Sequence, residues 1–519
     1  MPKRREKVRT TVVGEKVEGL DGFRVITEGK AHSLFPDVES VFYNPVQVFN
    51  RDFSVLNLMV FAKERAEQLG EKYTGLNVLE ALSATGLRSM RYALECPDIK
   101  TLTVNDYDPG AVEVIKKNIE YNKLADLDVD VRPSCADAVA YMHAAKARNE
   151  VLDIIDCDPF GAPTPFVDSM LAAIDHGGML LVTCTDLGVL AGNHPGTCFA
   201  KYGAVACKTP ACHEMALRIC LASLATAAAR YKKYIVPMVS VSVDFYVRVV
   251  VRVYSSAAKV KGTVGSLGMI HHCSGCKSWQ VQPLACPKEK NGSTSWHAST
   301  LTPTGRCPHC SHPLMLSGPA WIGALHDKTH LAKLEALLAT APTELPHLKT
   351  APQLLGYVRV MAAEVEAPLY HCVDTLVAVM HCPSIPRNTL IAGLLSHAEK
   401  LGKTYAVSRT HASARGLKID APAEAVWDVL RAWVRENPVS KKAGPNTPAR
   451  AIAAGTGLVA PEDIDLTHAV PDGTLCTEAL FLPKPDYWGP GSLPKRGAGK
   501  TKRESPQAGK KAKSEEDEE

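Results

Sequence analysis

The sequence predicts an α/β fold: a doubly wound, mainly parallel sheet, followed by a cysteine-rich insertion and a mainly helical α+β second half. Three observations lead there. Short apolar strands alternate with amphipathic helices between residues 76 and 122, the spacing of right-handed βαβ units. The stretch VLDIIDCDPFG at residues 151–161 carries a continuous apolar run, Val151, Leu152, Ile154 and Ile155, which stops at Asp158 and reads as a strand buried on both faces. The segment PMVSVSVDFYVRVVVRVY at residues 237–254 reads as two long strands turning around residues 244–246.

In chain order, residues 42–69 begin FYNPVQVFNRD and then turn apolar at helical spacing through Val55, Leu58, Met59, Ala62, Ala66 and Leu69, a loop feeding an amphipathic helix. Asn44, Asn50 and Asp52 suit helix caps. Arg51 does not, because a cation at the positive end of a helix needs an anion facing it. Residues 76–80 form a strand, 83–88 a turn, and a helix runs to about residue 95. A second strand at 102–104 ends in Asn105 and Asp106, and a helix over 109–122 opens with proline and buries Val112, Ile115 and Ile119. A third strand is placed at 129–131, a helix at 164–174, a strand at 179–184, the loop TDLGVLAG behind it and a helix at 212–231.

The turn EALSATGLR keeps only Gly86 of the three glycines in G-x-G-x-x-G, so it cradles no pyrophosphate and a dehydrogenase is disfavoured. Asp106 lies 26 residues beyond Glu80 at a strand end, where a carboxylate can hold both ribose hydroxyls of an adenosyl group. Arg88 can pair bidentately with a carboxylate such as that of a methionyl group. Asp137 stands at the next strand edge, where an acid can accept from the exocyclic amine of adenine. In open α/β sheets ligands sit outside the carboxyl ends of the strands, and residues 158–161 project there. Asp158 and the Pro159 carbonyl can each accept a hydrogen, and Phe160 offers a face to a flat ring, a set that suits an aromatic exocyclic amine. A bare Asp-Pro would merely turn the chain.

Cys273-x-x-Cys276 and Cys307-x-x-Cys310, 30 residues apart, suit tetrahedral Zn2+ in a closed, structural role. The insertion spans residues 266–320, and its loop at 288–295 must bulge out. Cys286, His297, His309 and His312 are rival ligands, and a redox pair is the third reading. Residues 321–488 are mostly helical by period over 332–437, with a connector at 345–352 and a basic loop carrying Arg409, His411, Arg415 and Lys418, either a nucleic-acid backbone contact or a solvated face. The tail, 489–519, has eight Lys or Arg against one acid over 495–513 and then five acids; it reads as disordered, an import signal, a nucleic-acid arm or a solvating tail.

At 519 residues, 46% hydrophobic and 22% charged, the chain is globular with room for two or three domains, and residues 1–265 hold the sheet with an N-terminal extension. No apolar run approaches the roughly 20 residues that span a bilayer. The basic N-terminus lacks the apolar core of a secretory signal, and Glu6, Glu15 and Glu18 weaken a mitochondrial presequence. Sixteen cysteines without a secretory signal imply a reducing compartment. A net charge of +4 by itself proves no polyanionic partner.

Five parallel strands with a terminal hairpin are the usual plan of class I, Rossmann-like S-adenosylmethionine-dependent methyltransferases. Over residues 20–440, FYNP, NRD, ATGLR, NDYDP, the Asp137-Ala138 pair, DPFG, TDLGVLAG, YG, HEMALR and SVSVDFYVRV together resemble the tRNA (guanine-N2-)-dimethyltransferase family, which modifies guanosine at position 26 of tRNA. The resemblance implies S-adenosyl-L-methionine as methyl donor, contacted by Arg51, Arg88, Asp106, Asp137 and Ala138, with Asp158 as the catalytic carboxylate. Pro159 and Phe160 would face the base, and Arg409 and Lys418 the tRNA. Other amino-methyltransferases place two prolines and then an aromatic after the Asp or Asn; here Phe160 comes one position earlier and Gly161 last. A monomer working in the nucleus is expected, with mitochondrion or cytoplasm as alternatives. The competing readings are an amino-methyltransferase of another RNA or of DNA, and an RNA-binding or chaperone protein without turnover.

Overall fold

The computed structural model describes residues 14–16, 19, 21–36, 43–300, 305–476 and 478. The tail read at 489–519 lies outside the described residues, as does Phe42 of the FYNP motif. An antiparallel hairpin of β1 (Phe23–Glu28) and β2 (Ala31–Pro36) precedes the long helix α1 (Val48–Leu69). The alternation then runs β3 (Leu76–Glu80), α2 (Leu87–Glu95), β4 (Ile99–Asp106), α3 (Pro109–Tyr121), β5 (Asp130–Cys135), α4 (Ala138–Ala147), β6 (Leu152–Cys157), α5 (Thr164–Ala173) and β7 (Ile174–Cys184). Helices α6 (Pro195–Tyr202) and α7 (Cys212–Arg230) lead to the hairpin of β8 (Lys233–Val243) and β9 (Tyr246–Ser255).

These strands form one seven-stranded sheet in the order β5-β4-β3-β6-β7-β9-β8. The first five are parallel; β9 is antiparallel to β7, and β8 to β9. The third strand begins and ends later than the expected 129–131, because β5 is an edge strand with no buried residue and its polar half gives no apolar run to read. Helix α1 also corrects an expectation. It starts at Val48, so Asn50 and Asp52 are buried inside it rather than capping it, and only Asn44 acts as a cap, accepting from the Val46 N–H at 3.0 Å in the preceding turn.

Beyond the sheet, β10 (Leu267–Cys273), β11 (Trp279–Pro283), β12 (Ala285–Lys290), β13 (Ser293–Ala298) and β14 (Leu314–Trp321) make the insertion. β11-β10-β14 form its antiparallel sheet, and β12–β13 is an exposed hairpin where residues 288–295 were expected to bulge. Helices α8 (Lys328–Glu344) and α9 (Ala351–Ala363) follow. The remainder is β15 (His371–Cys372), α10 (Val373–Met380), α11 (Arg387–Lys400), β16 (Val407–Thr410), β17 (Ser413–Ile419), α12 (Ala423–Glu436) and α13 (Pro448–Ala454), with strand order β15-β17-β16.

The two faces of the large sheet have different covers. Helices α4, α5 and α7 bury Met142, Met170, Leu217 and Leu221 on one face. On the other, Phe49, Phe53 and Leu58 of α1 share a core with Val78, Val239 and Val241 of the sheet and with Leu331, Leu334, Tyr357 and Met361 of α8 and α9. The four paired cysteines pack in a third core with Leu390, Ile391, Leu417 and Trp427.

Candidate active site and metal centre

The crevice lies outside the carboxyl ends of β3, β4 and β6. After Glu80 the chain turns sharply through Gly86, whose φ of 76° favours glycine; a Cβ there would stand 3.2 Å from Ile115 Cγ1, so the turn sits tight on α3. Asp106 ends β4, accepting from the Ala84 N–H at 2.7 Å and the Asp108 N–H at 3.0 Å. A carboxylate has about four acceptor positions, so two remain for a pair of hydroxyls. The Ala136 N–H donates to the Asp106 carbonyl at 3.1 Å, which draws the next loop alongside. There Asp137 is exposed and caps α4 through the Ala140 N–H at 2.9 Å, while Ala138 is buried as the first helical residue.

Asp158 follows β6, with its side chain 19% exposed. Arg88 Nη2 donates to its Oδ2. The same guanidinium donates from Nη1 to Asn50 Oδ1 at 2.9 Å and Ser54 Oγ at 2.8 Å, and its Nε stands 3.5 Å from Glu80 Oε1. Pro159 is buried and Phe160 is 90% exposed. The tip is tied down: the Gly161 N–H donates to Thr185 Oγ1 at 2.6 Å, and the Thr185 N–H returns to the Gly161 carbonyl at 2.9 Å. Gly161 adopts a φ of 87°, a second position where a side chain would be strained.

Arg51 meets the anion its position requires. Glu28 of β1 accepts from its Nε at 2.6 Å and Nη2 at 2.5 Å, and also from Arg91 at 2.9 Å. Arg51 is therefore one residue away from Asn50, the partner of Arg88, with its charge answered by β1.

Several residues of this centre had escaped sequence reasoning. Asp156, two residues before Asp158 on the same strand face, is fully buried and accepts from Tyr92 Oη at 2.5 Å and Arg248 Nη2 at 2.7 Å. Burial alone would raise the Asp156 carboxyl, but Arg248 and Arg88 hold it below the ordinary range. Glu80 is buried too; desolvation outweighs Arg88 and the Ser89 hydrogen bonds and pushes its carboxyl up to about 7. The missed signal was a buried acid in an apolar strand, which needs a buried partner, set against the two arginines of the valine-rich β9, of which Arg248 is the one that reaches Asp156.

The four insertion cysteines converge. Cys273 Sγ lies 3.4 Å from Cys310 Sγ, Cys276 Sγ lies 3.5 Å from Cys307 Sγ, and the four sulfurs fall within 4.8 Å of one another. A tetrahedral Zn–S site has sulfurs about 3.8 Å apart, given bonds of about 2.3 Å, so the donor set fits zinc. The rivals are outside this group of sulfurs: Cys286 and His297 are exposed on the β12–β13 hairpin and bond Ser299 and Ser295, His312 bonds the Cys310 carbonyl at 2.9 Å, and the His309 ring lies 6.3 Å from that of Trp427.

The basic stretch of the second half needs correction. It is the β16–β17 hairpin rather than a loop, and Lys418 is 1% exposed, 3.1 and 3.2 Å from the two Glu214 oxygens of α7. It is therefore a buried ion-pair partner and presents no surface to a nucleic-acid backbone. His411 is likewise buried, and half-buried Arg409 donates to the carbonyls of Cys476 and Glu478 at 3.0 and 2.8 Å. Of the four, Arg415 is exposed, and it pairs with Asp374 at 2.9 Å.

His411 and His326 flank Glu364, a second set with metal-ligand composition. Their remote nitrogens accept backbone N–H groups of Ser242 and Ser240, each at 3.3 Å, so the nitrogens turned to Glu364 carry the protons. Lys418 Nζ lies 3.9 Å from the same carboxylate. The group is thus a hydrogen-bonded seam between β8 and the second half.

A parallel sheet in this order, with acids at the ends of successive strands and D-P-F-G at the fourth, defines a class I S-adenosylmethionine-dependent methyltransferase. The model of the N2,N2-dimethylguanosine tRNA methyltransferase family matches residues 22–431, and the chain belongs to that family. The tRNA (guanine(26)-N(2))-dimethyltransferase of Mus musculus is 37% identical over 470 residues, covering 81% of this chain and 69% of that protein. The Drosophila melanogaster enzyme of that name is 36% identical over 499 residues, 87% of this chain and 84% of that one. A mitochondrial one of Saccharomyces cerevisiae is 35% identical, covering 85% and 84%. Among solved structures, Trm1 from Pyrococcus horikoshii in complex with S-adenosyl-L-methionine has a TM-score of 0.62 at 27% identity, covering 78% of this chain and 99% of that one.

Proposed function

We propose that this enzyme transfers methyl groups from S-adenosyl-L-methionine to the exocyclic N2 of guanosine at position 26 of tRNA, giving N2,N2-dimethylguanosine, with Asp158 as the catalytic carboxylate. The observation that carries the reading is Asp158 itself, at the end of a buried strand, with one oxygen held by Arg88, beside the exposed ring of Phe160. S-adenosylmethionine, when bound, supplies an electrophilic methyl group. Asp106 would hold the ribose hydroxyls, Asp137 and Ala138 the adenine, and Arg88 and Arg51 the carboxylate end, which matches the unfilled acceptor positions at the first two sites.

The guanine amine shares its lone pair with the ring and is a weak nucleophile. Asp158 and the Pro159 carbonyl accept its two hydrogens and favour a tetrahedral nitrogen aimed at the methyl carbon, a near-attack arrangement. Asp158 then accepts hydrogen bonds in the transition state and provides a destination for the proton. A base inside folded RNA has to leave its stack to reach this tip, and Phe160 offers the surface that receives it. Cys273, Cys276, Cys307 and Cys310 would hold Zn2+ in a structural role, since these four side chains pack within the core of the second half. We place the protein, as a monomer, in the nucleus, with the mitochondrion and the cytoplasm as the competing compartments; the basic stretch over residues 495–513 is compatible with an import signal.

The test is methyl transfer from labelled S-adenosylmethionine to undermodified tRNA, followed by nucleoside analysis. Wild type yields labelled dimethylguanosine, and Asp158→Ala loses about 10²–10⁴-fold in turnover with tRNA binding retained. Label in another nucleoside, or an Asp158→Ala enzyme that turns over normally, overturns the assignment.

A further inference from the structure

We infer that Arg248 and Asp156 are positioning residues for methyl transfer: a buried ion pair beneath the crevice that holds Arg88 on Asp158. The inference rests on the reading of Asp158 as the catalytic carboxylate.

The geometry is a stack of alternating charge. Asp158 lies at the mouth and Asp156 one strand step below it on the same face of β6, and Arg88 reaches both, with Nη2 on Asp158 and Nη1 3.6 Å from Asp156 Oδ2. Arg88 therefore serves two carboxylates and has Glu80 beside it as a third acid. Arg248 enters from β9, two strands along the sheet, and gives Asp156 its own cation at 2.7 Å. Ser54 Oγ ties the two arginines together, since Arg88 Nη1 and Arg248 Nη2 each donate to it at 2.8 Å. Thr183 Oγ1 fixes the remaining arm of Arg248 at 2.5 Å. Arg248 and Asp156 are both fully buried.

A buried ion pair is weak evidence for stability, because apolar replacement of both partners is often neutral; removal of one partner leaves the other charge unanswered. Here the unanswered charge would be Asp156, and the nearest other guanidinium is Arg88. Without Arg248, Asp156 competes with Asp158 for Arg88, and the catalytic carboxylate loses its fixed orientation. Misplacement on the order of 1 Å at a reacting group can cost about 100-fold in rate.

The test uses the full-length enzyme with kcat and KM measured for both substrates. Arg248→Met is expected to lower kcat by about 10–100-fold with each KM within about two-fold of wild type. Arg248→Lys keeps the charge and is expected to recover part of that loss. The decisive variant is the double Asp156→Asn/Arg248→Met, which removes the competing acid together with its cation and is expected to regain at least about ten-fold in kcat over Arg248→Met. If Arg248→Met does not fold, the double variant is compared with Arg248→Lys, and kcat at or above that of the lysine variant supports the competition. A folded Arg248→Met with unchanged kcat, a loss confined to KM, or a folded double variant no more active than the single overturns the inference. Asp158→Ala run in parallel separates the two claims: normal turnover there removes the reading of Asp158, whereas an inactive Asp158→Ala beside a fully active Arg248→Met removes the positioning role alone.

Discussion

Replacing Glu28 by glutamine should loosen the N-terminal hairpin from the cofactor side of the molecule. Glu28 is 2% exposed and joins three elements: Arg51 of α1, Arg91 of α2 and, through Tyr43 Oη at 2.9 Å, the loop before α1. Burial by itself would raise its carboxyl, but Arg51 and Arg91 outweigh it and bring the group from 4.5 down to about 2. The unfolded chain therefore binds this proton more readily than the native one. The stabilisation is complete above about pH 4.5 and is lost as pH falls toward 2. At 1.36 kcal/mol per unit it amounts to about 3 kcal/mol, the lower end of the roughly 3–5 kcal/mol lost when a buried pair is broken. Arg91 keeps Asp52 at 2.6 Å and Glu95 at 2.9 Å, so Arg51 is the residue left without an acid. Glu28→Gln is expected to lower the melting temperature of the unit it anchors by about 6–12 °C at neutral pH, taking roughly 2–4 °C per kcal/mol. Calorimetric melts of both proteins from pH 7 to pH 3 provide the assay, and the gap should narrow with acid because wild type protonates the same group. A gap that stays constant with pH, or that is under about 1 kcal/mol at pH 7, refutes the reasoning.

Glu80 has the opposite sign. Its native carboxyl titrates near 7 against 4.5 in the unfolded chain, so native stability falls as pH rises between those values; Glu80→Gln should flatten that slope in denaturant titrations, and an unchanged slope contradicts the assignment. Chelation, or Cys307→Ser, should release zinc and lower folded yield together, because the sulfurs sit in a core with Leu390 and Trp427; a soluble, metal-free, active variant by metal analysis would sink the structural role. Lys418→Met should destabilise the protein through unpaired Glu214 while leaving the salt dependence of tRNA binding unchanged; a folded variant whose log–log salt slope drops by about 1 would return Lys418 to the RNA.

What could be read in advance follows from which residues carry their own signal. The strand before Asp158 and the β8–β9 hairpin are apolar enough to declare themselves, and once their ends are placed Asp106, Asp137 and Asp158 fall at carboxyl ends. Edge strand β5 lacked that signal and was misplaced at both ends. Partnerships were illegible in proportion to their distance along the chain: Arg248 with Asp156 spans 92 residues and Lys418 with Glu214 spans 204. Lys418 shows why. Between Leu417 and Ile419, alternation assigns it to the other face of its strand, but a period of two says nothing of whether that face is covered. Here α7 covers it with a carboxylate.

The helix that begins the catalytic half is completed by helices some 300 residues later: Phe49 and Phe53 share their core with Tyr357 and Met361. During synthesis at roughly 5–20 residues per second, that interval is about 15–60 s. For that time an apolar flank of the emerging polypeptide has no native partner, although the parallel strands beside it have already left the ribosome. A message cut short before residue 328 would encode the sheet and α1 without α8 and α9, leaving unfinished the core in which Phe49 and Phe53 meet Tyr357 and Met361.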